Sequence, residues 1–215
     1  MDDSAAPDND HARRLLDGMA RAVAAKGYGD ATIADIVREA GVSRRTFYEH
    51  FTTKAECLIA LYEMASLRGL DVLRKAIDAR QHWDAQLEEA LAAYFAAMAA
   101  NPDLLRTLFI EILGLGSAGL AARRRVNQQI AEFILFVANS PSAARKRKLS
   151  PQMAVAVVGG INELVLTYIE RDRVSALQEL VGPASELVRA AVLSPGRSAR
   201  ATTPRARSAG AARAP

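Results

Sequence analysis

Apolar residues recur along this chain at three- and four-residue intervals and never in a sustained two-residue alternation, which predicts helices throughout and an all-α fold. The first predicted helix runs from about Asp10 to Lys26, with Leu16, Met19, Ala20 and Val23 on one face and Gly27 and Gly29 closing it. A second starts at Thr32, whose hydroxyl can cap the amide near Asp35, and it turns Ile33, Ile36, Val37 and Ala40 inward. Gly41 ends it, in the left-handed conformation that costs glycine nothing. Ser43 can cap a third, short helix ending near Phe51, and Thr53 with Glu56 forms a Thr-x-x-Glu capping box opening a fourth helix to about Ala79. Further helices are predicted near Trp83, at Asn101-Pro102, near Gly119 and at Ser150-Pro151. The segment from Val174 to Leu193 is helical too, with Gly182-Pro183 kinking or splitting it.

With 215 residues, half of them apolar, the chain can bury a substantial core. The most apolar stretch, Met153 to Ile169, carries Asn162 and Glu163 in its middle, so no membrane span is expected. The acidic start, Met1 to Asp10, does not look like a secretory signal, and a cytoplasmic protein is expected. Cys57 is the single cysteine, which rules out an intrachain disulfide and multi-thiolate metal ligation; His11, His50 and His82 are scattered, and neither a metal nor a cofactor is expected. The net charge of +4 suggests an anionic partner until it is located along the chain. Five arginines and no acid lie beyond Ser194, leaving 23 basic against 24 acidic residues in the rest. That Arg-, Ala-, Ser- and Pro-rich tail, residues 194–215, is expected to be disordered, either as an arm hovering over a polyanion or as a solvated end without a role.

Binding must therefore be argued from local geometry, and the informative stretch is Thr32 to Phe51: a short helix, a tight turn containing glycine, and a second short helix. Such an arrangement lets the second helix enter a DNA major groove while the first crosses the backbone. At 100° per residue Ser43, Phe47 and Phe51 share the buried face, with Arg45 and Glu49 opposite, flanked by Arg44 and Tyr48 on one side and Thr46 and His50 on the other. Arginine there can bridge guanine O6 and N7, and the Tyr48 hydroxyl or Lys54 ammonium suits phosphate oxygens. Glu49 can accept from cytosine N4 or pair with Arg45, and the sequence leaves both open.

Residues Thr32 to Leu58, with Ile33-Ala34, Ala40-Gly41-Val42-Ser43, Thr46-Phe47-Tyr48, Phe51 and Lys54, resemble the TetR-family DNA-binding domain almost position by position. The resemblance implies that Thr32, Ser43, Arg44, Arg45, Thr46, Tyr48, His50 and Lys54 face DNA, and that Arg45, at a position often small in that family, helps set an operator preference. It implies a three-helix DNA-binding domain over residues 10–56 and a helical ligand-binding and dimerisation domain over 57–193.

Past the fourth helix the motifs end and periodicity takes over. The fifth helix stacks Leu87, Leu91, Tyr94, Phe95 and Met98, the sixth Leu104, Leu105, Leu108, Phe109 and Ile112, the seventh Val126, Ile130, Phe133 and Val137. Trp83, Tyr94, Phe95, Met98, Phe109 and Phe133, set among many alanines, are candidate walls of a ligand pocket as well as ordinary core. Glu111, inside an apolar run, is either a polar handle for a ligand or a solvent-facing residue. The eighth helix is apolar nearly all round and therefore covered on two sides. Val155, Val158, Gly159 and Leu166, with Leu187, Val188 and Ala191 of the last helix, are the candidate two-fold interface, and the resemblance implies a four-helix bundle there. The basic run Arg145-Lys146-Arg147-Lys148 reads as a solvated loop.

The expected function is a homodimeric DNA-binding transcription regulator, a repressor released from double-stranded operator DNA by a small-molecule effector. The alternative is an architectural or interaction protein using the same dimeric scaffold without a ligand. No Ser-His-Asp spacing, metal cluster or phosphate-cradling glycine loop points to an enzyme.

Overall fold

The computed structural model describes residues 5–77, 82–139 and 148–193. The expected end of the fourth helix at Ala79, the basic run from Arg145 to Arg147 and the tail from Ser194 lie outside the described residues. Among those described, every regular element is helical: α1 (Ala5–Asp30), α2 (Ile33–Ala40), α3 (Arg44–His50), α4 (Lys54–Lys75), α5 (Trp83–Ala99), α6 (Pro102–Phe109), α7 (Ser117–Ala138), α8 (Pro151–Glu170) and α9 (Val181–Leu193). Short 3-10 helices over Glu111–Leu115 and Val174–Leu180 precede α7 and α9.

The helix starts follow their capping residues. Thr32, Ser43, Thr53, Asn101 and Ser150 each accept a hydrogen bond from the backbone amide three residues on, satisfying a donor that the first helical turn leaves unpaired. At the fourth helix the return bond differs from the expected box: Glu56 accepts from the amide of Thr52, 2.7 Å away, one residue before the cap.

Other elements differ in extent. α1 starts earlier and runs on past Lys26 to Asp30, interrupted at Gly27, whose φ of 75° and ψ of 161° suit a residue without a side chain. Leu15 and Ala22, rather than Ala20, complete its buried face. α6 stops at Phe109, so Ile112 belongs to the following 3-10 helix. The split expected at Gly182-Pro183 falls just before it, which leaves the proline in the first turn of α9, where its missing N–H has no helical partner to lose.

Among the described residues, two large clusters and a small one of Leu70, Leu73 and Ala90 make up the interior. One large cluster joins Leu15, Met19, Ile36, Phe47, Phe51, Leu58 and Leu61 to Ile112, Ala122 and Val126 from beyond α5. The other gathers Leu91, Phe95, Leu105, Val157, Val165, Ile169, Leu177 and Val188. Against the sequence expectation, α8 is long and apolar enough to cross a membrane by length and composition, with a mean hydropathy of 1.4. Its Ala154, Val157, Val158, Ile161, Val165 and Ile169 instead form one wall of the second cluster.

Candidate nucleic-acid interface and helical cavity

The helix pair α2–α3 is held as a rigid unit. At α2, Thr32 and Asp35 cap each other: the Asp35 amide donates to Thr32 Oγ1 (3.2 Å), while the Asp35 carboxylate accepts from the Thr32 amide (3.0 Å) and hydroxyl (2.7 Å). That carboxylate, on a side chain only 7% exposed, also pairs with Lys26 at 2.8 Å and Arg38 at 2.9 Å. The Lys26 bond first, then those from Thr32, hold its titration well below the usual carboxylate range. Gly41 takes φ 63°, ψ 39° and turns the chain; Arg14 of α1 donates to the carbonyls of Ala40 (3.0 Å) and Gly41 (2.7 Å). Arg21 donates to the carbonyl of Glu39, so two arginines of α1 satisfy the orphan C-terminal carbonyls of α2.

On α3, Phe47 is fully buried and anchors the helix, and Phe51 is buried beside it. Tyr48 is 54% exposed with its ring edge-on to Phe47. Arg44, Arg45 and Glu49 are exposed, and Arg45 Nε donates to Glu49 at 2.9 Å, which settles the choice for Glu49 in this structure. The guanidinium's other nitrogens are not used in that bond, so the arginine can be presented to a base edge with its carboxylate partner as a splint. His50 packs edge-on to His11.

Two residues differ from the sequence reading, Ser43 in its place on the helical wheel and Lys54 in the partners of its ammonium. Ser43 does not share the buried face: it is exposed, and its hydroxyl accepts from the Thr46 amide at 3.0 Å and bonds the Thr46 hydroxyl at 2.9 Å. As the cap its backbone is extended (φ −80°, ψ 159°), so the helical wheel does not reach it. Lys54 is not a free phosphate donor. Its ammonium donates to the carbonyls of Tyr28 (2.6 Å), Gly29 (3.3 Å) and Ala31 (2.7 Å) and lies 4.2 Å from the centre of the Tyr28 ring. It closes the chain reversal between α1 and α2, and can reach a phosphate only by surrendering one of these bonds. Lys54→Ala should therefore destabilise the free protein by about 1.5–3 kcal/mol, lowering Tm by roughly 3–12 °C. An unchanged melting curve would return Lys54 to a role on DNA alone.

The same reversal is gripped from the other side. Glu111, half-buried, accepts from the amide of Tyr28 at 3.3 Å, a contact that the sequence reading did not include. Ile112 beside it is 1% exposed within the first cluster. The 3-10 helix after α6 thus touches the end of α1, the helix against which α2 packs.

Behind that contact lies a cavity of about 240 Å³ bounded by α4, α5, α6, α7 and α8. Of the expected pocket residues, Tyr94, Met98 and Phe109 line it, facing Leu104, Leu105 and Leu108 of α6. Arg68, Asn101 and Arg123 stand in its wall, and sequence reasoning gave no sign of them because their role depends on which helices meet. Asn162 donates to Asn127 at 3.1 Å across it. Trp83 and Phe133 line a second, more apolar hollow of about 90 Å³ together with Leu87, Val158 and Val188. Phe95 is fully buried core and lines neither.

Two of the expected interface residues are corrected by burial: Val158 and Val188 are 3% and 6% exposed within their own chain. Gly160 is likewise inward, because a Cβ there would come within 2.8 Å of Leu187 Cδ2. Val155 at 42% exposed and Gly159, with open space beside it, do face outward; Leu166, Leu187 and Ala191 are half-buried.

Residues 15–61 match the family model for bacterial regulatory proteins of the tetR family. The chain is 22% identical over 181 residues to the fatty acid metabolism regulator protein of Bacillus subtilis, an alignment that spans 81% of this chain and 92% of that protein. Among solved structures, the transcriptional regulator FadR from Bacillus subtilis, in complex with stearoyl-CoA, superposes with a TM-score of 0.71 at 19% identity. The superposition covers 82% of this chain and 96% of that one. The fatty acid degradation regulator FadR from Bacillus halodurans gives 0.69 at 20% identity over the same shares.

Proposed function

We propose, from the premise that this chain is a DNA-binding transcriptional regulator with a tetR-family reading head, that it works in the cytoplasm as a homodimeric repressor released by an acyl thioester. The observation that carries the reading is the physical continuity from cavity to reading head. Leu104, Leu105 and Leu108 of α6 line the cavity, and the next turn of the same segment supplies Ile112 to the head's core and Glu111 to the Tyr28 amide. A ligand that wedges α6 aside moves the contact that positions α1 and, through it, α2 and α3. Release requires that the ligand bind the displaced state better than the DNA-bound one, because equal affinity for both shifts nothing. An acyl thioester is favoured over other apolar ligands by the mixed lining, in which Arg68 and Arg123 stand with Leu104, Leu105 and Leu108, and by the stearoyl-CoA bound to the FadR of Bacillus subtilis.

On DNA, Arg44 and Arg45 of each α3 read base edges, with Tyr48 on phosphate, and Thr32, Thr46 and His50 border the same surface. The test starts from operator DNA selected from a random pool. Arg44→Ala or Arg45→Ala should cost about 1–3 kcal/mol on that operator and relax preference at a defined base pair. Micromolar stearoyl-CoA should dissociate the unmodified complex. Equal losses on operator and random DNA would overturn the reading role of the arginines, and a complex indifferent to the thioester would overturn the ligand.

A further inference from the structure

We propose that Tyr94 sets the length of chain the ligand site accepts, by standing as a partition between its two hollows. This rests on the acyl-thioester reading and goes beyond it by naming the residue that decides specificity. Tyr94 projects from α5 and lines both the 240 Å³ cavity and the 90 Å³ hollow, with Ile130 and Asn162 as their other shared walls. The two spaces are thus neighbours, and the phenol ring is a large side chain at their junction.

The ring has a fixed seat. Gly69 of α4 lies directly beneath it, so close that a Cβ at that position would stand 2.9 Å from Tyr94 Cε2. A residue larger than glycine would push the ring off the α4 backbone and into the spaces it separates. The phenol is neutral at physiological pH even at its ordinary pKa, and burial raises that pKa further.

The chemistry on either side of the partition has a direction. The first cavity carries the polar groups: exposed Arg68 and Asn101 and half-buried Arg123 suit an anionic head. The second is walled mostly by apolar side chains, Leu73, Trp83, Leu87 and Phe133 among them, with Gln86 and the shared Asn162 as its polar members, and it carries no charged residue, which suits the end of a hydrocarbon chain. A chain entering head-outward fills the first space, meets the Tyr94 ring, and continues only if the ring swings out of the junction.

Chain length against affinity reads this directly. Each methylene buried adds a factor of roughly four, so affinity should climb with length until the chain reaches an obstruction and then stop climbing. Saturated acyl-CoA thioesters of about eight to about twenty carbons, titrated calorimetrically into the full-length protein, should show such a break. In Tyr94→Ala the break should move to longer chains, raising the affinity ratio of the longest to the middle members at least tenfold. Tyr94→Phe, which keeps the ring, should leave the break in place. If Tyr94→Ala melts too low to titrate, Tyr94→Leu removes the outer half of the ring and carries the same test. Free fatty acids of the same lengths form a second arm, and whichever head group binds, the break must fall at the same length, since the chain sets it.

A break that stays put when the ring is removed, differs between the two head groups, or is missing from the unmodified protein overturns the partition while leaving a chain-binding site standing. Failure of every thioester and every acid to bind overturns the ligand reading and the partition with it.

Discussion

Gly119→Ala should lower Tm by roughly 6–12 °C. In an ordinary exposed helix the same change stabilises, because alanine exceeds glycine in helix propensity by about 1 kcal/mol. Here crowding reverses the sign. A Cβ on Gly119 would lie 1.9 Å from the carbonyl oxygen of Ile112, 3.0 Å from its carbonyl carbon and 3.1 Å from Leu115 Cβ. The obstacles are backbone atoms and a Cβ, which cannot rotate away, so α7 and the preceding 3-10 helix must separate. Overpacking of this kind costs about 3 kcal/mol at the upper end of its usual range. Ile112 belongs to the reading head's core and Glu111 holds the Tyr28 amide, so operator affinity should fall too although Gly119 is far along the chain from α3. Gly114, on the same 3-10 helix with nothing within 4 Å, is the control, and alanine there should change little. Scanning calorimetry of the two variants decides: equal melting temperatures would mean that α7 can yield at no cost.

This glycine shows what kind of information the sequence carries. Caps and breaks are local chemistry, and Thr32, Ser43, Asn101-Pro102, Ser150-Pro151 and Gly41 were all legible because each acts within a few residues of itself. Thr32-x-x-Asp35 was half legible: the cap was readable, but the burial of Asp35 between Lys26 and Arg38 was not. Contacts between distant segments left no mark. Lys54 looks the same on paper whether its ammonium meets a phosphate or three carbonyls 23 to 26 residues away, and Glu111 looks exposed until Tyr28 arrives from 83 residues earlier.

The apolar stripes give a similar division. Periodicity says that a position is covered and is silent on what covers it, which is why Phe95 read as a pocket wall and Val158 and Val188 as an interface, when all three are buried within their own chain. On α8 the ambiguity is sharpest, since apolar residues surround the axis and only packing separates the inner face from the outer. The candidate reading face of α3 suffered least. A seven-residue helix with one buried aromatic, Phe47, has only one way to present Arg44, Arg45 and Tyr48.

That separation of faces on α8 identifies the substitution with the largest expected effect on operator binding. With Ala154, Val157, Val158, Ile161, Val165 and Ile169 turned inward, the outward side still shows Met153 at 46% and Val155 at 42% exposed, with Gly159 between open surroundings. Exposed apolar residues on the outer side of a helix already packed along its inner face, here interrupted only by Gln152 near its start and Glu163 past Gly159, are what a second copy would cover, and a glycine among them permits close approach of two backbones. Gly160→Leu is a poor probe, because its side chain would strike Leu187 and damage the protomer itself. Gly159→Leu has no such obstacle within the chain, so it should fold and melt normally yet sediment as a monomer. Two reading heads on one dimer, spaced about 34–36 Å apart to meet successive major grooves, bind with an avidity that one head lacks. Losing the second should weaken operator binding roughly 10²–10⁴-fold, with a smaller change on random DNA. Analytical ultracentrifugation and operator titration of the same sample check both halves. A Gly159→Leu protein that remains a dimer would place the two-fold elsewhere, and a monomer that still binds operator as tightly as the parent would remove dimerisation from the mechanism of recognition.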